Sequence, residues 1–235
     1  MTQHTIVSHE QWAAASRRLL AKEKEFLRLR DQLSSERRAL PWERVAKSYV
    51  FEGPAGKVSL ADLFAGRSQL IVYHFMFAPD WEAGCRGCSF WADSYNGGIA
   101  HLQQRDVSFA AISRAPLQKL QSFAKRMGWS FQWVSSADSD FNYDYQASFR
   151  PEALEHGTAV YNHAPYKESS SEKQGFSVFC KDLGGEICHT YSTYARGVDS
   201  MNVTFQLLDL APKGRDEAGL PHPMSWVKLH DQYGV

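Results

Sequence analysis

The sequence predicts an α/β fold: a central mixed sheet flanked by helices on both faces, preceded by an N-terminal helical extension. Three observations carry this reading. Two strongly apolar runs, 68–77 and 107–112, are each followed by a helical stretch and show no polar–apolar alternation. That is the pattern of parallel strands covered on both faces. Two further short runs, 176–180 and 186–190, flank Gly184-Gly185, which reads as an antiparallel hairpin.

The elements follow in order. Residues 8–36 form an amphipathic helix in which Ser8 and Gln11 fit a capping box, each side chain satisfying a backbone donor of the other. Trp12, Leu19, Leu20, Glu23, Phe26, Leu27 and Leu33 mark one stripe, with Arg17, Lys22, Lys24, Arg28 and Arg30 around it. This arm, 1–40, is expected to pack on the rest of the chain or to pair two copies as a homodimer, and Pro41 ends it. The main domain is expected over 41–235. It opens with a hairpin in which Tyr49-Val50-Phe51 and Lys57-Val58-Ser59-Leu60 flank the turn Gly53-Pro54-Ala55-Gly56. A helix then runs from about 85 to 104, weakened at Gly97-Gly98. Another follows from 116 to 127, with Pro116 in its first turn. Residues 132–135 give a short strand, 138–145 a structured loop, 151–175 one long irregular loop, and 199–210 a last helix.

The composition narrows function. The chain has 235 residues, with 26 basic against 26 acidic ones, so no net field points to nucleic acid or to an acidic membrane. No basic segment followed by an apolar stretch opens the sequence, and the longest apolar run is too short to span a bilayer. The expectation is a cytoplasmic protein with no membrane and no nucleic-acid partner. Four cysteines do not make a disulfide framework in a chain of this length. In a reducing compartment a close pair is redox-active or metal-binding more often than structural.

Cys85-Arg86-Gly87-Cys88 is that pair. A buried strand runs into a short loop, and the two cysteines open the next helix. Spacing i, i+3 puts both sulfurs on one helical face. At a helix start Cys85 favours the thiolate, with Arg86 adding positive charge, so Cys85 would attack a disulfide and Cys88 would resolve the mixed intermediate. A thiol or disulfide substrate, protein or small molecule, follows, and no cofactor is required. The alternative is copper or zinc held by Cys85, Cys88, His74 and His189, a soft donor set suited to metal binding or delivery. His74 also reads as a hydrogen-bonded core histidine, and His163 falls in the long loop. Cys180 and Cys188 flank the Gly-Gly hairpin and read as buried thiols, with a cross-strand disulfide or a share in a metal site as alternatives. Glu82 and Asp93 bracket the dithiol and are placed to shift its pKa, or are ordinary surface charges. Arg114 and Arg196 read as ion-paired or as anion-binding. Trp81, Phe90, Trp91, Trp129, Trp133, Phe141, Tyr143 and Tyr145 read mostly as core.

The block from Tyr73 to Asp93, YHFMFAPDWEAGCRGCSFWAD, resembles a bacterial thioredoxin-like family of unknown function, often labelled predicted dithiol–disulfide oxidoreductase. Ser113-Arg114-Ala115-Pro116, Met127-Gly128-Trp129, Asp140-Phe141-Asn142-Tyr143-Asp144 and residues 189–197 resemble it too, so the likeness covers about 9–230. It implies a thioredoxin-like fold. The chain departs from two relatives of that fold. Peroxiredoxins carry Thr or Ser three residues before the attacking cysteine, where Glu82 stands here. Thioredoxins place a proline just before the strand facing the dithiol, where this chain has Gln174-Gly175, with Pro165 well upstream.

Overall fold

The structure is a computed structural model that describes residues 4–234. The chain divides into two compact units, Met1–Pro41 and Trp42–Val235. Among its described residues the first holds one helix, α1 (His9–Arg38), two residues longer at its C-terminus than the stripe suggests. Its capping box is formed: Ser8 Oγ accepts from the Gln11 N–H at 3.3 Å and Gln11 Oε1 accepts from the Ser8 N–H at 3.2 Å. Arg37 and Arg38 lie in the last turn, where positive charge offsets the unpaired carbonyls.

The second unit contains β1 (Glu43–Arg44), β2 (Val50–Gly53), β3 (Gly56–Ser59), α2 (Leu60–Leu63), β4 (Gln69–His74), α3 (Arg86–Ala92), α4 (Ile99–Gln104) and β5 (Val107–Ser113). It continues with α5 (Leu117–Arg126), β6 (Gln132–Ser135), α6 (Phe141–Asp144), α7 (Pro151–Glu155), β7 (Val160–Tyr161), β8 (Ala164–Pro165), β9 (Gly175–Lys181), β10 (Ile187–Tyr194) and α8 (Val203–Leu208). The main sheet runs β1-β10-β9-β4-β5-β6-β2-β3. The β4–β5 and β5–β6 pairs are parallel, and β9 runs antiparallel between β4 and β10.

Alternation along the central strands makes two cores. On β4, Leu70 and Val72 enter one cluster with Leu60, Leu63, Phe141 and Phe179. Tyr73, Phe75 and Phe77 enter the other with Cys88, Trp91, Phe123 and Trp133. Both faces are apolar, so the sequence shows no alternation even though the side chains alternate in space. Each fully buried aromatic or leucine contributes roughly 2 kcal/mol from area removed from water. The face with Tyr73 is covered by α3, α5 and α8; the opposite face is covered by α2 and α6.

Several expected elements change. The helix expected from 85 to 104 breaks where the glycines weaken it: α3 ends at Ala92, a 3-10 turn spans Asn96–Gly98, and α4 follows. Pro116 stands before α5 as its cap at ψ 143°, outside the first turn. The last helix begins only at Val203, because the Asn202 side chain caps the Phe205 N–H at 2.9 Å and Ala195–Met201 is 3-10. Residues 138–145 hold the short helix α6. The loop 151–175 is ordered: it contains α7 and the β7–β8 ladder around a satellite core of Phe149, Ala159 and Tyr166.

Candidate active site

Cys85 is the N-cap of α3, and Cys88 lies one turn further on, fully buried. The loop from β4 brings them there through bonds to neighbouring strands. Phe75 N–H donates to Ile112 O at 3.0 Å and Ala115 N–H to Phe77 O at 2.8 Å, so the stretch after β4 stays paired to β5 and the turn beyond it. The Lys119 ammonium ties down the next turn by donating to Pro79 O and Trp81 O at 3.0 and 2.8 Å. Cys85 N–H then donates back to Met76 O at 3.0 Å. Gly84, just before Cys85, has no room for a side chain: a Cβ there would stand 2.7 Å from Phe75 Cε1 and 3.0 Å from Phe123 Cε1. Gly84→Ala is expected to cost about 1–3 kcal/mol of stability by crowding these core rings. An unshifted urea midpoint for that variant would contradict the packing.

The two cysteines approach to 3.9 Å, and both carry free thiols. Their environments push them apart in acidity. The Cys85 thiol is held down to about 6, first by the hydrogen bond from the Cys88 thiol, then by the Cys88 and Gly87 backbone N–H groups, with Arg86 the smallest of these contributions. The Cys88 thiol is pushed well up by burial and by the neighbouring Cys85 charge. Its sulfur accepts the Met76 N–H at 3.4 Å, and its carbonyl accepts from Tyr73 Oη at 3.0 Å. Tyr73 Oη in turn accepts from Gln174 Nε2 at 2.7 Å. The result is a half-buried, acidic thiol beside a buried, protonated one.

The other singled-out residues are placed as follows. His74 points to the face opposite Tyr73, stacked on Phe141 and Tyr145. Its Nε2 bonds Ser177 Oγ at 2.8 Å, Ser177 bonds Ser192 Oγ at 2.8 Å, and Ser192 bonds His189 Nε2 at 2.7 Å. The two histidines therefore share a polar chain on the side of the sheet away from Cys88. The copper or zinc donor set Cys85, Cys88, His74 and His189 is not assembled, because neighbouring residues of one strand point to opposite faces. Among the described residues no three His, Cys, Asp or Glu side chains are grouped to hold a metal ion.

Asp93 lies at the far end of α3, where its carboxylate accepts from Trp129 Nε1 at 2.9 Å and pairs with His230 Nδ1 at 2.8 Å. Glu82 faces a surface pocket shared with Lys119 and Arg126. Arg196 is largely exposed, 3.6 Å from Asp199. Cys180 and Cys188 face each other across β9 and β10 with free thiols. His163 is exposed in the turn between β7 and β8. Phe90, Trp91, Trp129, Trp133 and Phe141 are buried, as expected.

Arg114 is ion-paired, and its partner has no signal in the sequence. Glu172 sits in a Ser-rich polar stretch, yet its side chain is 1% exposed and lies 2.9 Å from Arg114. Ser148 Oγ donates to its other oxygen at 2.7 Å. Burial dominates over both partners and raises the Glu172 carboxyl to about 7. Gln174 and Tyr73 were likewise missed: nothing in sequence spacing joins a strand residue to a loop residue across 101 positions.

A mixed sheet with parallel central strands, entered through a buried strand, a short loop and a helix that opens on Cys-x-x-Cys, defines a thioredoxin-like α/β domain. The chain belongs to the family of bacterial proteins of unknown function DUF899, whose match spans residues 1–233. Among curated proteins no match was found. Similar solved structures include peroxidoxin BcpB from Mycobacterium tuberculosis, 13% identical with a TM-score of 0.47, covering 72% of this chain and 97% of that one. Peroxiredoxin Q from Xanthomonas campestris is 12% identical with a TM-score of 0.48, covering 73% and 98%. The mitochondrial 2-Cys peroxiredoxin from Plasmodium falciparum is 12% identical with a TM-score of 0.44, covering 72% and 94%. Likeness of this degree says nothing about chemistry.

No helix among the described residues is long and apolar enough to cross a membrane.

Proposed function

We propose that this protein is a thiol–disulfide oxidoreductase in which Cys85 attacks and Cys88 resolves. The observation that carries the reading is the placement of the pair: Cys85 half-buried at the N-cap of α3, 3.9 Å from a fully buried Cys88, a placement that holds the first thiol down to about 6 and pushes the second up. An attacking thiol works best with a pKa near ambient pH, and a resolving thiol must stay protonated until its neighbour's charge is gone. The Cys85 thiolate attacks one sulfur of a disulfide, forming a mixed disulfide and releasing one thiolate. Loss of the Cys85 charge then lets Cys88 ionise. Its thiolate attacks the Cys85 sulfur, closing the Cys85–Cys88 disulfide and releasing the second thiolate. Two electrons pass from the dithiol to the substrate, and the two cysteine protons end on the released thiols. The dithiol holds both electrons, so the reaction uses no further cofactor. A cytoplasmic location, where thiols are kept reduced, suits such a resting state.

A redox titration against a dithiothreitol couple tests this. Wild-type protein is expected to show one two-electron transition that both Cys85→Ser and Cys88→Ser abolish. In Cys88→Ser the mixed disulfide on Cys85 should accumulate, as seen by intact mass. The same transition persisting in the double variant would assign it to Cys180 and Cys188 and end the proposal.

A further inference from the structure

The surroundings of Cys85 bear on what can reach it. Its half-buried neighbours in the same apolar cluster include Met76, Trp81 and Met224. A Cβ built on Gly87 would meet the Met224 methyl at 3.3 Å and the Cys85 sulfur at 3.6 Å, so the thioether and that sulfur border the same glycine. Met224 is held there at a φ of 66°, in the left-handed region. The Glu217 carboxylate fixes it by accepting the Met224 N–H at 2.8 Å and Trp226 Nε1 at 2.9 Å.

The segment between α7 and β9 reaches the dithiol from the Cys88 end, through Gln174 and Tyr73. Its β7–β8 hairpin turns through Asn162 and His163, both with positive φ, and is supported by its own small core. Tyr161, at the end of β7, reaches out of this hairpin. Its Oη donates to Gln174 O at 2.8 Å and accepts the Ala195 N–H at 2.9 Å. It thereby bridges β9 and β10 just past their last pair, Gly175 with Tyr194. Gln174 is the residue whose side chain reaches Tyr73 and, through it, Cys88.

A polypeptide commonly docks at a sheet by pairing its backbone with free backbone groups. Beside this dithiol four of those groups are engaged within the chain. Gln174 O is taken by Tyr161, Met76 O by the Cys85 N–H, the Met76 N–H by the Cys88 sulfur, and Phe77 O by the Ala115 N–H. The apolar cluster that holds Cys85 offers Met76, Trp81 and Met224 as half-buried side chains, with Arg86 exposed beside it in the chain. We propose that the dithiol acts on small, apolar, aromatic disulfides and excludes polypeptide disulfides, with Tyr161 as the residue that sets the limit. This rests on the dithiol reading above and names the substrate class of the same site.

The test is a single-turnover comparison with pre-reduced protein, using dipyridyl disulfide as the small probe and insulin as the polypeptide one. Rates are taken above the background of Cys85→Ser. Wild type is expected to consume dipyridyl disulfide and to reduce insulin at no more than about a hundredth of that rate, since docking must first break the Tyr161 bridge and displace the hairpin. Tyr161→Phe keeps the ring but loses both hydrogen bonds. It is expected to raise the ratio of insulin to dipyridyl rates about 30-fold, the effect of two bonds of ordinary strength. Insulin reduced by wild type as fast as the small probe overturns this inference and leaves the dithiol reading intact. An unchanged ratio in folded Tyr161→Phe protein also overturns it. Consumption of neither disulfide above background overturns the dithiol reading itself, and this inference with it.

Discussion

Alkylation of Cys85 by iodoacetamide is expected to reach half its limiting rate near pH 6, where an ordinary thiol scarcely reacts. Two effects oppose each other. With the thiol held down to about 6 from an ordinary 9.0, the thiolate fraction at pH 6 is raised about 500-fold. A more acidic thiolate is also a weaker nucleophile, by about 20-fold over three units. The population term wins at low pH, leaving Cys85 about 20-fold more reactive than an unperturbed cysteine there. Above pH 9 both thiols are ionised and the order reverses. The leading cause is the hydrogen bond from the Cys88 thiol, with Arg86 contributing less. Cys88→Ala is therefore expected to move the inflection upward far more than Arg86→Gln does. Peptide mapping after pulses of reagent from pH 5 to 10 measures this. An inflection that follows Arg86 and ignores Cys88 would show that the charge, and not the paired thiol, sets the acidity.

Replacing Glu172 by Gln is expected to remove about 3 kcal/mol of pH-dependent destabilisation. The carboxyl is raised from 4.5 to about 7 because burial outweighs its bonds to Ser148 and Arg114. Between those values the folded chain keeps the proton and the unfolded chain has lost it. The folded state binds more protons there, so stability falls as pH rises from about 4.5 to 7. The full loss is about 3 kcal/mol, at 1.36 kcal/mol per unit.

His74 acts the other way. Burial lowers it to about 3 from 6.5, so the folded chain keeps it neutral while the unfolded chain gains a proton. Its contribution is therefore lost as pH falls from about 6.5 to 3. Between about 4.5 and 6.5 the two slopes largely cancel, and the wild-type curve hides both. The difference between wild-type and Glu172→Gln unfolding free energies isolates the carboxyl, because His74 is common to both. Urea titrations at pH 4.5, 6 and 8 should show that difference growing in favour of Gln. A difference independent of pH would mean that the Glu172 carboxyl titrates alike in the folded and unfolded chains, its bonds to Ser148 and Arg114 fully offsetting its burial.

The position of the dithiol was legible in the sequence because every step to it is local. An apolar run too short for a helix, a Pro- and Gly-bearing loop, and cysteines three apart at a helix start sit within about twenty consecutive residues. The break at Gly97-Gly98, the capping box at Ser8 and the hairpin at Gly184-Gly185 were legible for the same reason. The cause of Cys85 acidity was only half legible. Arg86 is next to it in the chain, but the stronger influence is a hydrogen bond whose strength depends on how deeply Cys88 is buried.

The sequence by itself determined the mixed α/β sheet, the N-terminal helix and the cysteine pair at the start of α3, since residue type and short-range spacing govern all three. The tertiary structure alone decided that His74 and His189 face away from the dithiol, which glutamate is buried, and which tyrosine bonds the Gln174 carbonyl. His74 sits one residue from Tyr73, yet the pleat sends it to the other side of the sheet. Glu172 reads as a solvated charge until the fold withdraws it from water beside Arg114. Tyr161 meets Gln174 and Ala195 only because the loop after α7 folds on a core of its own. Contacts between residues far apart in the chain depend on packing and desolvation, and those terms exist only once the chain has closed around them.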